Sequence, residues 1–124
     1  MLFFLCLLFF SGLAAEQYKE RYPESLNSAC SVFQAKCTTC HDAEDSFYSR
    51  EVLPSYWEST AQRMQAMEGS NISRDEAIIV AEFLIYDSMT RRKKMVEKQL
   101  RSVPEDQQMY EKSKLDTIHQ KYGD

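Results

Sequence analysis

The chain has 124 residues and a formal net charge of −4, which is enough length for one small domain. The charge is uneven, because residues 16–90 carry 13 acidic and 6 basic side chains, whereas residues 91–124 carry 6 acidic and 9 basic ones. The acidic larger part argues against nucleic acid as the main partner.

The first 15 residues, MLFFLCLLFFSGLAA, carry no charged side chain and consist mostly of Leu and Phe. A short apolar run followed by small residues is typical of a secretory signal peptide, and this run is too short to span a bilayer with ease. We therefore expect cleavage after Ala14 or Ala15, loss of Cys6 with the signal, and a periplasmic mature protein. An uncleaved anchor or a buried helix is the alternative.

The remaining chain reads as helices joined by loops, since no stretch alternates apolar and polar residues long enough to predict a sheet. A first helix is predicted from about residue 23 to 37, because Pro23 suits a first turn and an apolar face follows at helical spacing. Residues 42–53 are predicted as a loop.

A second helix is predicted at roughly 55–68, opened by Pro54 and ended by Gly69. Its apolar stripe consists of Tyr56, Trp57, Thr60, Ala61, Met64 and Met67.

A third helix is predicted from Ser73, since Glu76 three residues later completes a capping box. Its inward face is predicted as Ala77, Ile78, Ala81, Leu84, Ile85, Ser88 and Met89. No stop signal precedes Pro104, so the helix is expected to run on toward it.

A final amphipathic helix is predicted after a second capping-box pattern, Ser102 with Glu105. Its apolar positions are Met109, Leu115, Ile118 and Tyr122. The predicted fold class is therefore all-α.

The stretch KCTTCH, residues 36–41, holds the residues most indicative of function. Structural zinc needs four ligands, and beyond this motif the exported chain offers only an isolated Cys30 and a distant His119. A thioredoxin-like redox motif sits beside a βαβ pattern, and no strand is predicted here. Both chemistries are therefore disfavoured.

Covalent haem attachment uses the pattern C-x-x-C-H, which Cys37, Cys40 and His41 provide. The two thiols add to the porphyrin vinyl groups, and the histidine directly after them is held under the iron. The export signal, the helical chain and a helix ending at the first cysteine favour this interpretation. We predict haem c bound at these three residues; a structural cysteine pair beside a surface histidine is the alternative.

The segment ACSVFQAKCTTCH resembles the N-terminal helix of class I c-type cytochromes. In that family a small residue, an aromatic one and the first haem cysteine follow at intervals of four, as Ala29, Phe33 and Cys37 do here, although Gly is usual at the first position. The resemblance implies a crossing with the last core helix, at Phe83 and Leu84.

The likeness covers roughly residues 22–90 and implies a cytochrome c-like fold of three to four helices around one haem. It divides the chain into a signal peptide (1–15), a cytochrome c domain (16–90) and a charged helical C-terminal extension (91–124).

The segment WESTAQRMQAM is similar to the distal part of small bacterial cytochromes, including cytochrome subunits of sulfite-oxidising enzymes. The match of Trp57, Arg63 and Met64 implies Met64 as the sixth iron ligand. Met67 is the alternative ligand, and core packing is the alternative role of Met64. Ligation by His and Met raises the reduction potential of the iron above that of iron held by two histidines. An iron with both axial positions occupied suits electron transfer better than gas binding or catalysis.

Two further haem contacts follow from the resemblance. The carbonyl of Pro54 would accept a hydrogen bond from His41, and Trp57 would pack on the porphyrin or hydrogen-bond a propionate. A helix-opening proline and a core tryptophan are the alternatives. Cys30 is predicted as a small buried hydrophobe rather than a third haem thiol.

The expected function is one-electron transfer between partner proteins by an exported monohaem cytochrome c that is not an enzyme. The alternatives are a haem-bearing subunit docked to a larger oxidoreductase through its basic tail, and a ligand sensor or haem enzyme with an open iron. Asp42, Glu44 and Asp45 form either an acidic docking rim or a solvated loop. The basic run at 91–94 touches an acidic partner or lipid headgroups, or is simply solvated.

Overall fold

The computed structural model describes residues 22–37 and 43–123, with backbone alone at residues 34, 37 and 43–45. Within these ranges the chain forms five α-helices and two short 3-10 helices and no strand, so the all-α class is confirmed for the described residues. The α-helices are α1 (Asn27–Cys37), α2 (Pro54–Ala66), α3 (Arg74–Arg91), α4 (Lys93–Ser102) and α5 (Glu105–Tyr122), and the 3-10 helices are Glu24–Leu26 and Ala43–Tyr48. None of the helices in this part of the chain is both long and apolar enough to cross a membrane.

The start of α3 is fixed by the predicted capping box. The Ser73 hydroxyl accepts from the Glu76 backbone N–H at 3.1 Å, and the Glu76 carboxylate accepts from the Ser73 N–H at 2.9 Å. These bonds satisfy two N–H groups that the first helical turn leaves without partners. The hydrogen bond from the Ser73 backbone also lowers the pKa of Glu76.

Helix α3 is the centre of the fold, because it contacts all four other α-helices. From residue 83 to residue 88 it is buried on every side, as an element surrounded by other helices must be; the buried residues of the helix are Ala77, Val80, Ala81, Phe83, Leu84, Ile85, Tyr86, Asp87 and Ser88. Ile78, predicted to face inward, is 51% exposed. Near the start of α3 only Ala77 turns fully inward, and its neighbour Ile78 points about 100° away.

The core is aromatic where α1 meets α3. The ring of Phe33 lies 5.1 Å from that of Phe83 and 5.7 Å from that of Phe47. Phe47 belongs to the 3-10 helix Ala43–Tyr48, which occupies part of the segment predicted as a loop. All three rings are buried, so α1, α3 and the chain between α1 and α2 share one core.

Helix α3 ends at Arg91, so the predicted continuation toward Pro104 is wrong. The backbone breaks at Arg92, with φ −121° and ψ 37°. The guanidinium groups of Arg91 and Arg92 both donate to the Phe47 carbonyl, at 2.7 and 3.3 Å. These tertiary contacts accompany the break, which no Gly or Pro signals in the sequence.

Helix α5 begins as predicted but without the predicted capping box. Its N-cap is Pro104, and the Ser102 hydroxyl instead donates back to the Gln99 carbonyl at 2.8 Å. Ile118 is buried in the main core, whereas Met109, predicted on the same apolar face, is 70% exposed.

The described part of the C-terminal extension packs onto the helices that precede it. Glu111 is fully buried and accepts from the Ser55 backbone N–H at 3.0 Å. Glu82 of α3 accepts from Lys121 at 2.7 Å and from the Tyr122 hydroxyl at 2.8 Å. Residues 105–122 therefore complete the same core as α1, α2 and α3.

Candidate functional site

The C-x-x-C-H motif of Cys37, Cys40 and His41 begins at the last residue that the structure describes before a gap at residues 38–42. Cys37 is the last residue of α1, as predicted, and its side chain lies outside the described part. Cys40, His41 and Asp42 lie outside the described residues entirely, as do the side chains of Glu44 and Asp45. Haem attachment and the acidic rim therefore stay predictions.

The end of α1 lies against the connection between α2 and α3. The Lys36 ammonium donates to the Asn71 carbonyl at 2.9 Å and lies 3.7 Å from the Glu76 carboxylate. Helix α2 ends at Ala66, shortly before this connection. The residue before Cys37 and the last turn of α2, which carries Met64, are thus at the same end of the helical bundle.

The two candidate methionine ligands differ sharply in their surroundings. Met64 is half-buried and packs against the main core, the cluster that contains Phe33, Phe47 and Trp57. Met67 follows the end of α2 and is 52% exposed. Of the two thioethers, only that of Met64 packs against the main core, which includes Phe33 of α1.

Trp57 is a buried link between α2 and α3. Its side chain is 2% exposed, and the indole N–H donates to the Ser88 hydroxyl at 2.9 Å. This arrangement is that of a core tryptophan, and a haem propionate would have to compete with Ser88 for the indole N–H. The sequence placed both residues on inward faces but did not pair them.

Replacing Ser88 with alanine is expected to lower the free energy of unfolding by about 1–3 kcal/mol, because the buried indole N–H loses its acceptor. Urea unfolding followed by Trp fluorescence measures the change. The double variant Ser88→Ala with Trp57→Phe removes donor and acceptor together, so its loss should be smaller than the sum of the two single losses. Additive losses would contradict the pairing.

Pro54 is buried and is the first residue of α2, where its missing N–H costs nothing. The next N–H, that of Ser55, is satisfied by Glu111 of α5. The other oxygen of that carboxylate, Oε1, is buried with no hydrogen-bond partner among the described atoms. Because His41 lies outside the described residues, its hydrogen bond to the Pro54 carbonyl stays a prediction.

A buried ionic network lies at the end of α3. Asp87 is 2% exposed and accepts from the Tyr22 hydroxyl at 2.8 Å. The same carboxylate receives two bonds from Arg91, Nε at 3.0 Å and Nη2 at 2.8 Å. Since Arg91 also donates to the Phe47 carbonyl, the network joins three parts of the chain. An acid inside the apolar run FLIYDSM was the signal in the sequence.

Arg92 has a different environment from Arg91. Its guanidinium donates to the Phe47 carbonyl and to the Met95 sulfur, the latter at 2.8 Å. No carboxylate in the described chain forms an ion pair with it. Burial lowers the pKa of Arg92, and repulsion by Arg91 lowers it further.

Cys30 is buried, as predicted, but it is disulfide-bonded rather than a free hydrophobic thiol. Its partner is not Cys37, because seven residues of one helix separate their Cα atoms by about 10 Å along the axis. A disulfide holds Cα atoms about 4.4–6.8 Å apart. The remaining cysteines, Cys6 and Cys40, both lie outside the described residues.

Comparison of the chain with protein-family models, with curated proteins and with solved structures gives no match. In the ranges that the structure describes, no three His, Cys, Asp or Glu side chains meet as a candidate metal site. The functional assignment therefore depends on the motif and on the geometry around it.

Proposed function

We propose that the protein is an exported monohaem cytochrome c that carries single electrons between partner proteins. Cys37 and Cys40 would hold the haem, with His41 and Met64 as the axial iron ligands. The haem, when bound, supplies the exchange of one electron between ferrous and ferric iron. The observation that carries the proposal is the position of Met64, half-buried at the bundle end where α1 terminates in Cys37.

The packing of α1 supports the proposal. The resemblance to class I cytochromes requires the helix before the cysteine motif to cross a later core helix. Phe33 of α1 packs on Phe83 of α3 with 5.1 Å between ring centroids, and Ala29 is buried in the same cluster. The alanine stands where the family usually has glycine, and it is 3% exposed in this packing.

The residues around Met64 suit an electron-transfer site. The thioether would close the sixth iron position and favour a raised potential. The buried rings of Phe33 and Phe47 exclude water from the core beside it. Trp57, held by Ser88, keeps α2 against α3 and so fixes the helix that presents Met64. None of these side chains moves a proton in the proposed function.

The Cys30 disulfide sets a condition on haem attachment. Two thioether bonds need both thiols of the motif reduced, so a bond from Cys30 to Cys40 would leave one thiol for the haem. A bond to Cys6 would leave both for the haem, but the cleaved signal peptide would stay attached to Cys30 until a cellular thiol reduced that disulfide. The pairing with Cys40 therefore predicts one thioether bond to the haem, whereas the pairing with Cys6 predicts two.

Production in a host competent for cytochrome maturation tests the proposal. Intact-mass measurement under denaturing conditions should show a chain that begins near residue 15 or 16 and retains one haem. The reduced-minus-oxidised spectrum should be that of a haem c, and the reduced form should not respond to carbon monoxide. A chain without added tetrapyrrole would overturn the proposal, and a carbon monoxide response would favour the sensor or enzyme alternative.

A matched pair of cysteine variants separates the two disulfide pairings. Cys30→Ser is expected to keep full haem attachment, whereas Cys40→Ser should lose one of the two thioether bonds. If Cys30 competes for Cys40, the first variant will also show a higher haem content than the unaltered protein.

A further inference from the structure

The basic side chains of α4 differ from most others in having no partner. Lys36, Lys114 and Lys121 each lie within 4 Å of a carboxylate, at 3.7, 3.4 and 2.7 Å. The four exposed cations of α4 form no ion pair or side-chain hydrogen bond within the described chain. We call them the basic face: Lys93, Lys94, Lys98 and Arg101.

The basic face concentrates charge on an acidic protein. Residues 91–102 hold six basic and one acidic side chain, a net charge of +5. Since the whole chain has −4, all other residues together carry −9. An approaching acidic surface is therefore attracted at this helix and repelled elsewhere, which orients the encounter.

The inner side of α4 is fully used in packing. Val96 is buried with Val52 and Leu53, and Met95 and Leu100 pack against the same cluster. None of the large exposed apolar side chains in the described residues belongs to α4. Helices that lie in a membrane interface insert such side chains among the lipids, and α4 has none to insert. A protein surface fits better than a bilayer.

Helix α4 also lies directly against the chain that follows the cysteine motif. The Gln99 side chain donates to the Arg50 carbonyl at 2.6 Å and accepts from the Val52 N–H at 3.0 Å. At the other end of the contact, Arg92 donates to the Phe47 carbonyl. A molecule seated on the basic face is therefore separated by the thickness of α4, about 10 Å, from residues 47–53, which begin six positions after His41.

We propose that the basic face of α4 is the docking surface for an acidic protein with which this chain exchanges electrons. The redox part of this statement rests on the proposed function, whereas the docking part rests on the charges and packing alone. Exposed ion pairs are individually weak, so the surface provides orientation and rapid, salt-sensitive encounter rather than a permanent complex.

Binding of the purified full-length protein to immobilised poly-L-glutamate tests the docking part, with haem content measured on the same sample. The triple variant Lys93→Gln, Lys94→Gln and Lys98→Gln is expected to bind about tenfold more weakly at roughly 0.01 M ionic strength. Binding of the unaltered protein should largely disappear at about 0.15 M, where screening shortens to about 8 Å.

The matched control removes the same charge from exposed cations elsewhere, with Arg74→Gln, Lys112→Gln and Lys121→Gln. It is expected to change the affinity less than twofold. Equal losses in both triple variants would overturn the proposal, because net charge alone would then explain binding. Tighter binding to vesicles of phosphatidylglycerol than to poly-L-glutamate at roughly 0.01 M ionic strength would also overturn it in favour of a membrane. A haem-free sample that still binds through α4 would leave docking intact and remove the electron-carrier function.

Discussion

Replacing Met64 with leucine is expected to open the sixth position of the haem iron. The reduced protein should then bind carbon monoxide, and its midpoint potential should fall by on the order of 100 mV, since methionine ligation raises the potential of histidine-bound iron. Leucine matches methionine in size and apolar character, so the packing of α2 on the core should be largely retained. Absorption spectra with and without carbon monoxide and a redox titration measure both effects.

Met67→Leu is the control for this prediction. Its side chain is 52% exposed beyond the end of α2, so its replacement should leave the spectrum, the carbon monoxide response and the potential unchanged. If Met67→Leu opened the iron and Met64→Leu did not, the assignment of the two methionines would be reversed. If neither variant changed the spectrum, the sixth ligand would be a different residue.

Replacing Asp87 with alanine is expected to destabilise the fold by about 3–5 kcal/mol. The carboxylate is 2% exposed and balances the partly buried Arg91, which would be left without its carboxylate partner. The change also removes the acceptor of the Tyr22 hydroxyl. Urea or thermal unfolding followed by circular dichroism gives the difference in the free energy of unfolding.

Asp75→Ala provides the comparison, since Asp75 is an exposed acid in the first turn of the same helix. It should cost about 0.3–1 kcal/mol, the value of a favourable charge at a helix N-terminus. If Asp87→Ala also lowered the free energy of unfolding by only this amount, the result would contradict a structural role for the buried network.

Local signals in the sequence predicted local structure well. The capping box of Ser73 and Glu76 spans three residues, and it fixes the start of α3 as expected. Pro54 begins α2 as predicted, because the preference of proline for a first helical turn depends only on that turn. The identical pattern at Ser102 and Glu105 failed, since the intervening Pro104 became the N-cap of α5.

Features that depend on distant residues were missed. The break at Arg92 is accompanied by a hydrogen bond to a carbonyl 45 positions earlier, and the buried Glu111 accepts from a backbone N–H 56 positions earlier. A periodic pattern also assumes one buried face, which is why the enclosure of Tyr86 and Asp87 by other helices was not predicted. The helical spacing of apolar residues can show that one face of a helix is buried, but it cannot show that four other helices surround it.

For the candidate site, sequence and structure supply different parts. The motif names Cys37, Cys40 and His41, and the structure places only the backbone of Cys37. The structure adds the contrast between Met64 and Met67 and the pairing of Trp57 with Ser88. It also adds the disulfide of Cys30, a residue that the sequence predicted only as a small buried hydrophobe.

The dependence of Ser55 on Glu111, and of the Phe83 cluster on Ile118, has a consequence for biosynthesis. A nascent chain on the ribosome cannot bury this core until residue 118 has been translated, however early α1 and α2 emerge. It is therefore expected to stay unfolded through most of its synthesis, and an unfolded polypeptide is the form that a secretion channel can thread.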